Sequence, residues 1–212
     1  ARLLHNSDFL TMAGASQVPM INGCCERYHP CQALTDVLTM TEHSDKPLEA
    51  LHLLYTGVQN NVSNSLVLMA DRLGFSLTLA TPEPAETQES FDADLQAMIT
   101  HNPRITRVAD PRDAIAAADF LYTDTWIDMQ YFNDPNKLAE KTALVAQMQR
   151  FQINSDLVAH HDLKIMHDMP IHNDYEITEA AVRDPRSIIF DQAANRLHAQ
   201  KGLLYWLLVA NA

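Results

Sequence analysis

The chain has 212 residues, of which 47% are hydrophobic and 20% are charged, and its formal net charge is −12. A chain this acidic is not expected to bind a nucleic-acid backbone or an anionic membrane surface, because both partners require a basic face. The composition is ordinary for a soluble globular protein, and no apolar run approaches the roughly 20 residues of a membrane span.

The cysteines and the first residues of the sequence suggest the environment of the protein and the extent of the chain. Cys24, Cys25 and Cys31 do not form a disulfide framework, so we expect a reducing, cytoplasmic environment. No signal peptide is visible. The sequence begins Ala1-Arg-Leu-Leu without an initiator methionine, and we therefore expect a fragment or a processed chain.

Apolar periodicity and turn residues predict the elements in chain order. Helices are expected at 7–16, from Pro30 to about His43, from Asn60–Ser65 through Leu73, at 89–101, at 111–118, over a broken stretch at 134–158, and at about 191–208. Strands are expected at 18–21, 48–55, 75–81, 105–108, 119–123 and 163–166, with a last extended piece at 187–190. Strands that alternate with helices predict an α/β fold with three layers, α/β/α, and a mainly parallel, Rossmann-like sheet.

Two of these helices show a clear apolar stripe, which we expect to face the core. In the helix that begins at Pro30 the stripe is Leu34, Val37, Leu38 and Thr41. In the last helix it is Ala193, Ala194, Leu197, Leu204 and Leu208.

Polar side chains collect where predicted strands end or helices begin. The clusters are His29/Gln32, Asn60/Asn61, Asp124/Asp128 and His167/Asp168, and Asn195-Arg196 lies early in the last helix. In an open α/β sheet the ligand crevice lies beyond the carboxyl ends of the strands, so these groups can line one crevice. Each also has a plainer interpretation: a helix cap for Asn60, a solvated turn for Asp128, and a polar turn after a strand for His167-Asp168.

Three further histidines surround the last strand. His160, His161 and His172 lack the spacing of a zinc site and have no cysteine nearby. We expect them to occupy a solvated polar turn and predict no metal site.

Several segments together resemble the aspartate/ornithine carbamoyltransferases, on the ornithine side of that family. His29-Pro-Cys-Gln32 is similar to the family's His-Pro-x-Gln segment, and 57–65 is similar to its Asn-Asn segment. Residues 123–129 resemble its Asp-x-Trp-x-Ser-Met loop, and His167-Asp-Met-Pro170 resembles its His-Cys-Leu-Pro. Residues 185–201 are similar to the start of its carboxyl-terminal helix. The match runs in order over nearly the whole chain.

The resemblance implies carbamoyl transfer from carbamoyl phosphate to a primary amine of ornithine or a related cationic amine or amino acid. His29, Gln32 and Arg196 would contact the carbamoyl group, as would the backbone carbonyl near Met169, shaped by a cis Met169–Pro170 bond. Donors such as His29 and Arg196 are suited to polarise a carbonyl and to stabilise an oxyanion. No metal or organic cofactor is implied, and the whole protein would be a homotrimer.

The acceptor would be held by Asn61, Asp124 and Met129, and we add Asp128 and His167 as candidates. Asp128 stands where the family has serine, and Asp168 stands where it has cysteine. Two added carboxylates would repel an acceptor's own carboxylate and favour its ammonium form. We therefore hypothesise an acceptor more cationic than ornithine, with Asp168 as the base that removes the proton.

The family's Ser-x-Arg-Thr-Arg phosphate motif has no match in this sequence. We therefore expect residues 1–22 to be the tail of a missing amino-terminal carbamoyl-phosphate domain, 23–190 to be the acceptor-binding domain and 191–212 the carboxyl-terminal helix. We expect the isolated chain to bind carbamoyl phosphate poorly. The alternative is a non-catalytic ligand-binding or regulatory module derived from a carbamoyltransferase.

Overall fold

The computed structural model describes residues 1–127, 136 and 138–210. Its centre is a sheet of five parallel strands in the order β3-β2-β1-β4-β5. The strands are β1 (His52–Thr56), β2 (Ser76–Ala80), β3 (Ile105–Val108), β4 (Phe120–Thr123) and β5 (Lys164–His167). The predicted α/β fold with a parallel sheet is confirmed.

The described part of the chain contains eight α-helices. They are α1 (Asn6–Ala15), α2 (Pro30–Glu42), α3 (Asn61–Leu73), α4 (Ala93–His101), α5 (Leu138–Met148), α6 (Ser155–Val158), α7 (Glu179–Val182) and α8 (Ile189–Tyr205). A π-helical turn, Trp206–Ala210, continues α8. No helix among the residues described has the length and apolar character that crossing a membrane requires.

Alternate strand residues point to opposite faces of the sheet, and each face has its own apolar core. Leu53 and Tyr55 of β1 face one core, which α2, α3 and α4 cover. Leu54, between them, faces the other core, which α6, α7 and the first turn of α8 cover. Helices on both faces explain why the central strands are apolar without interruption.

Four expected elements differ from the structure. The strand expected at 48–55 begins only at His52, because Leu48–Ala50 form a 3-10 turn. Residues 18–21 do not form a strand: they lie outside the sheet, and Val18 is 68% exposed. The expected helix at 111–118 is two short 3-10 turns, Pro111–Asp113 and Ile115–Ala117. The extended piece at 187–190 is reduced to one bridge between Ser187 and Ile165, because α8 already begins at Ile189.

The predicted buried stripe of α8 is wrong. Leu197 is 62% exposed and Leu208 is 67% exposed, and the other three stripe residues are exposed as well. The buried positions are instead Ile189, Gln192, Asn195 and Ala199. The two polar residues are buried because they hydrogen-bond to α2: Gln192 Nε2 donates to Asp36 at 2.7 Å, and Asn195 Nδ2 donates to Glu42 at 2.6 Å.

The stripe of α2 is wrong for the same reason. Of its four predicted residues only Val37 is buried, and Ala33 and Met40 complete the apolar contact. The neighbouring face of α2 is buried as well, but it is polar and consists of Gln32, Asp36, Thr35 and Thr39. The contact between α2 and α8 therefore combines buried hydrogen bonds with adjacent apolar packing.

Candidate active site

A cavity of about 760 Å³ opens beyond the carboxyl ends of β1, β4 and β5. The chain builds the sheet outwards from β1 to β3 and then returns through β4, so the strand order reverses between β1 and β4. A crevice at such a reversal is the usual ligand site of an open α/β sheet. The predicted site residues that line it are His29, Asn61, Asp124, Asp168, Met169 and Arg196.

His29 is fixed at the N-cap of α2, just before Pro30, which occupies the first turn. Its backbone N–H donates to Ser65 Oγ at 2.7 Å. The ring is only 7% exposed, and Nδ1 has no hydrogen-bond partner in the described structure. Burial, reinforced by the charges of Arg196 and Arg2, lowers the pKa of His29 to about 4. The imidazole is therefore neutral at pH 7 and has one N–H to donate.

Gln32 and Arg196 form a connected pair at the wall of the cavity. The Arg196 guanidinium donates to Oε1 of Gln32, and Gln32 Nε2 donates to Asp36 at 2.8 Å. Gln32 is 1% exposed and does not line the cavity, whereas Arg196 does. Through this hydrogen bond Gln32 orients the Arg196 guanidinium towards the pocket.

The two asparagines have different tasks. Asn60 caps α3, because its Oδ1 accepts from the backbone N–H groups of Val62 and Ser63 in a complete capping box. Its Nδ2 donates to Asp124 Oδ2 at 2.6 Å, so the same side chain also orients a pocket carboxylate. Asn61 donates to the Cys25 carbonyl at 2.7 Å and lines the cavity.

Asp124 and Asp168 meet because β4 and β5 end together. Thr123 pairs with His167 in the parallel register, so the next residue of each strand is an aspartate at the same edge. The Asp168 carboxyl is hydrogen-bonded to Asp124, and its side chain is 9% exposed. Burial, with the negative charge of Asp124 next, raises the pKa of Asp168 well above its usual range. These surroundings therefore oppose the ionisation of Asp168.

His167 lies beneath the cavity and not on its surface. Its ring is fully buried, Nδ1 accepts from the Met169 N–H at 2.9 Å, and Nε2 lies 3.2 Å from Glu176 Oε1. Since Nδ1 accepts, the proton is on Nε2 and points to Glu176. The ring thus shapes the turn after β5, where Met169 has a φ of 59° and the Met169–Pro170 peptide is cis, as expected.

The remaining candidates divide into two groups. Asp128 and Met129 lie outside the described residues. His172 is buried, contrary to the expected solvated turn, and its Nδ1 lies 2.8 Å from Thr125 Oγ1. His160 and His161 are exposed and half-buried. Within the described ranges, no group of three or more His, Cys, Asp or Glu side chains could hold a metal ion.

Comparison with known proteins identifies the family. The sequence pattern of the aspartate/ornithine carbamoyltransferase Asp/Orn binding domain matches residues 49–207. The chain belongs to the aspartate/ornithine carbamoyltransferase family. The pattern of the family's carbamoyl-P binding domain matches residues 1–42. The cavity is lined from both matched ranges, since His29 lies in the shorter one and Asp124, Asp168 and Arg196 lie in the longer one.

Several relatives of this chain are named ornithine carbamoyltransferase. It is 36% identical over 213 residues to the ornithine carbamoyltransferase of Rhodopseudomonas palustris, which covers 100% of this chain and 65% of that protein. It is 38% identical over 211 residues to the ornithine carbamoyltransferase of Methanococcus maripaludis. The match covers 98% of this chain and 67% of that protein. The solved structure of the ornithine carbamoyltransferase from Pyrococcus furiosus superposes with a TM-score of 0.84 at 32% identity, over 100% of this chain and 66% of that one. The chain thus spans about 65% of the length of the first of these relatives.

The residues at or beneath the pocket that were not predicted from the sequence include Arg2, Asp36 and Glu176. Arg2 lines the cavity because a bridge to Cys24 brings the first residues alongside it. Asp36 and Glu176 are fully buried and hold Gln32 and His167. A lone arginine and two isolated carboxylates carry no spacing signal. For Arg2, the match of residues 1–42 to the carbamoyl-P binding domain is the signal that points to it.

Proposed function

We propose that the protein transfers the carbamoyl group of carbamoyl phosphate to a primary amine of ornithine or of a related cationic amine. The observation that carries the proposal is the composition of one cavity. A neutral imidazole and a guanidinium, from His29 and Arg196, share it with an acidic pair, Asp124 and Asp168. Donors for a carbonyl oxygen and an anionic partner for an ammonium group are the two halves that this reaction needs.

On the carbamoyl side, His29 and Arg196 donate to the carbonyl oxygen, and Gln32 sets the direction of the guanidinium. Because His29 is neutral, it donates without bringing a charge that would repel the incoming ammonium. Burial excludes water and strengthens both donor interactions in the tetrahedral state. The backbone near Met169 lies at the same cavity and completes the carbamoyl contacts.

On the acceptor side, Asp124 attracts the ammonium group, and Asn61 and the turn formed by His167 and Met169 shape the pocket. Asp128 and Met129 belong to the same proposal. Glu26 and Glu89 also line the cavity and add to its negative potential. This charge favours an acceptor that is more cationic than ornithine, because each carboxylate repels the acceptor's own carboxylate.

The test uses the protein as its gene encodes it. It is incubated with carbamoyl phosphate and, in turn, ornithine, lysine and a linear diamine of ornithine's chain length, and both ureido product and phosphate are measured. We expect equal amounts of both products, a higher kcat/KM for the diamine than for ornithine, and a partial shift back towards ornithine in Asp168→Cys. Carbamoyl phosphate breakdown that no amine accelerates would contradict transfer.

A non-catalytic ligand-binding module is the second candidate, favoured by the raised pKa of Asp168, which opposes the ionisation that a catalytic base needs. Such a module would bind the amines in calorimetry without releasing phosphate. Binding of carbamoyl phosphate that Arg196→Ala abolishes would argue against it, because an amine-binding module has no need of the carbamoyl contacts.

We also propose a cytoplasmic homotrimer that serves arginine biosynthesis. The support is the resemblance to the family, together with an apolar face on α8 and its continuation that no described residue covers. Phe190, Leu197 and Leu208 on that face are each more than half exposed. Apolar surface of this kind is typical of an interface. Light scattering of the gene product should give three times the subunit mass; a monomer would overturn the trimer.

A further inference from the structure

His172 joins the two chain segments that line the cavity after β4 and after β5. Thr125 and Trp126 belong to the first segment, and Asp168 and Met169 belong to the second. The imidazole reaches from the second segment to the first, since its Nδ1 lies 2.8 Å from Thr125 Oγ1. The ring itself is buried and does not line the cavity. It can therefore affect a ligand only through the residues that it contacts.

The turn after β5 fixes the position of this imidazole. The His172 backbone N–H donates to Glu176 Oε1 at 2.6 Å, and the His172 carbonyl accepts from the backbone N–H of Tyr175 at 3.1 Å. The Tyr175 ring stands edge-on to the imidazole, with 6.3 Å between the ring centroids. His172 is only 9% exposed. A ring that is buried and whose backbone is bonded on both sides has little freedom to move away from Thr125.

The atoms around Nδ1 indicate that it carries the proton. Burial lowers the pKa of His172 below its ordinary value of 6.5, so the ring is neutral at pH 7 and has one N–H. The Thr125 hydroxyl donates to the carbonyl of Ile127 at 2.9 Å, which leaves its oxygen free to accept from Nδ1. Glu176 Oε2, which has no hydrogen-bond partner in the described structure, lies 3.9 Å from the same nitrogen. Nδ1 thus faces two acceptors, and this favours the tautomer with the proton on Nδ1.

Thr125 connects His172 to residues that line the cavity. Its backbone N–H donates to Asp124 Oδ1 at 2.6 Å. Its hydroxyl bonds to the carbonyl of Ile127 and also accepts from the Ile127 N–H at 3.4 Å, which closes the turn that contains Trp126. Asp124 and Trp126 both line the cavity. The orientation of this hydroxyl therefore helps to fix the loop after β4 on the acceptor side of the pocket.

We propose that His172 is a positioning residue for the carbamoyl acceptor: its Nδ1–H donates to Thr125 Oγ1 and thereby holds the loop after β4 in place. This role rests on the proposed carbamoyl transfer, in which that loop binds the amine. The donors on the carbamoyl side lie on other elements, since His29 caps α2 and Arg196 belongs to α8. Loss of the Nδ1 donor should therefore weaken the binding of the amine and leave that of carbamoyl phosphate unchanged.

The kinetic test compares His172→Asn, His172→Gln and His172→Leu with wild type in the gene product. The acceptor is whichever of ornithine, lysine and the linear diamine wild type carbamoylates best. The amide nitrogen of asparagine can occupy the position of Nδ1, because both atoms are bonded to Cγ, whereas that of glutamine lies one bond further out. We expect the KM for the amine to rise about tenfold in His172→Leu and His172→Gln, the order of one lost hydrogen bond. In His172→Asn both KM values should stay near those of wild type.

Two further variants separate this role from a general folding defect. Thr125→Val removes the hydroxyl and should raise the KM for the amine as His172→Leu does, and the double variant should add nothing, because both changes remove the same bond. Thr125→Val also decides the outcome if His172→Leu does not fold, which circular dichroism and the unfolding midpoint check. His101→Leu is the matched control and should keep both KM values. Its Nδ1 lies 2.6 Å from the Ala97 carbonyl, at an exposed site away from the cavity.

The tautomer can be measured without catalysis. Nitrogen NMR of histidine-labelled protein, at a pH where the ring is neutral, should show a protonated Nδ1 for the signal that His172→Asn removes. A proton on Nε2 would overturn the proposal. An unchanged KM for the amine in His172→Leu, or an equal rise in both KM values, would overturn it too. If wild type carbamoylates no amine, the proposed function fails and the positioning role fails with it, while the NMR result still decides the hydrogen bond.

Discussion

Gln32 donates from its amide nitrogen to Oδ1 of Asp36 at 2.8 Å, and both side chains are almost completely buried. Gln192 Nε2 donates to the same oxygen at 2.7 Å, and Gln192 Oε1 accepts from the backbone N–H of His167 at 2.9 Å. One carboxylate therefore fixes two amide groups. Through Gln32 it directs Arg196, and through Gln192 it holds the end of β5.

Replacing Asp36 by alanine should reduce the order of Gln32 and of the Arg196 guanidinium that Gln32 contacts. Two buried amides would lose their common acceptor, which costs about 1–3 kcal/mol for each unsatisfied donor. Gln32 could then rotate and stop directing Arg196, so we expect the KM for carbamoyl phosphate to rise about tenfold in steady-state assays. Tyr122→Phe is the control, since it removes the 3.1 Å contact to Oδ2 and leaves both amides in place. A stability loss with unchanged KM would show that Asp36 serves the fold alone.

Asp168→Asn should make stability less dependent on pH. The folded pKa of Asp168 is raised above its ordinary value of 3.8. Above pH 3.8 the unfolded chain has lost a proton that the folded chain keeps, so the wild-type free energy of unfolding falls by about 1.4 kcal/mol per pH unit from this group, until the folded pKa is reached. Below pH 3.8 the group contributes no such difference. The asparagine side chain of the variant does not titrate.

Urea unfolding at several pH values measures this effect. The free energy of unfolding of Asp168→Asn, minus that of wild type, should increase with pH from about pH 4 upwards. Groups such as His29 titrate in both proteins and cancel in the difference. Asp156→Asn, at an exposed position, should give a flat line. A flat line for Asp168→Asn as well would mean that Asp168 is ionised in the folded protein.

The strands and the location of the site follow from the sequence by simple rules. Leu53–Tyr55 and Ile165–Met166 are buried on both faces, as expected for strands of a covered parallel sheet. Asp124 and Asp168 each directly follow such a strand. Because ligand crevices lie at the carboxyl ends of parallel strands, the sequence alone is enough to place both aspartates in one pocket.

The packing of α8 could not be predicted in the same way. Gln192 and Asn195 are buried because Asp36, Thr39 and Glu42 of α2 receive their hydrogen bonds, across more than 150 residues of sequence. Hydropathy ranks these two residues as surface and ranks Leu197 as core, so the apolar pattern selects the wrong face. The structural roles of Asp36 and Glu176 could not be predicted for the same reason. A buried carboxyl group is stable only when tertiary partners satisfy it, and the sequence does not show those partners.

Asn60 should affect both stability and acceptor binding. Asn60→Ala removes the cap of α3 and should cost about 1–2 kcal/mol of unfolding free energy. It also removes the donor to Asp124, so the KM for the amine should rise. Asn154→Ala is the matched control, because Asn154 caps α6 by accepting from Leu157 N–H at 3.0 Å and does not line the cavity. Equal stability losses with no change in either KM would mean that Asn60 is only a cap.

Replacing Gly57 at the turn after β1 should strain the backbone and disturb the cavity. Its φ is +127°, and an added Cβ would lie 3.0 Å from Trp126 Nε1 and 3.2 Å from Thr123 Oγ1. Gly57→Ala must therefore strain the backbone and displace Trp126, which lines the cavity. We expect a loss of about 1–3 kcal/mol in the free energy of unfolding and a higher KM for the amine.

Gly202 provides the control for that substitution. It lies within α8, and an added Cβ would meet no heavy atom within 4 Å. Gly202→Ala should therefore leave both KM values unchanged and raise the free energy of unfolding by up to about 1 kcal/mol, because alanine loses less backbone entropy in a helix. Urea unfolding and steady-state kinetics measure both variants side by side. If Gly57→Ala is as stable as wild type, the turn after β1 tolerates another backbone conformation, and the position of Trp126 does not depend on the glycine.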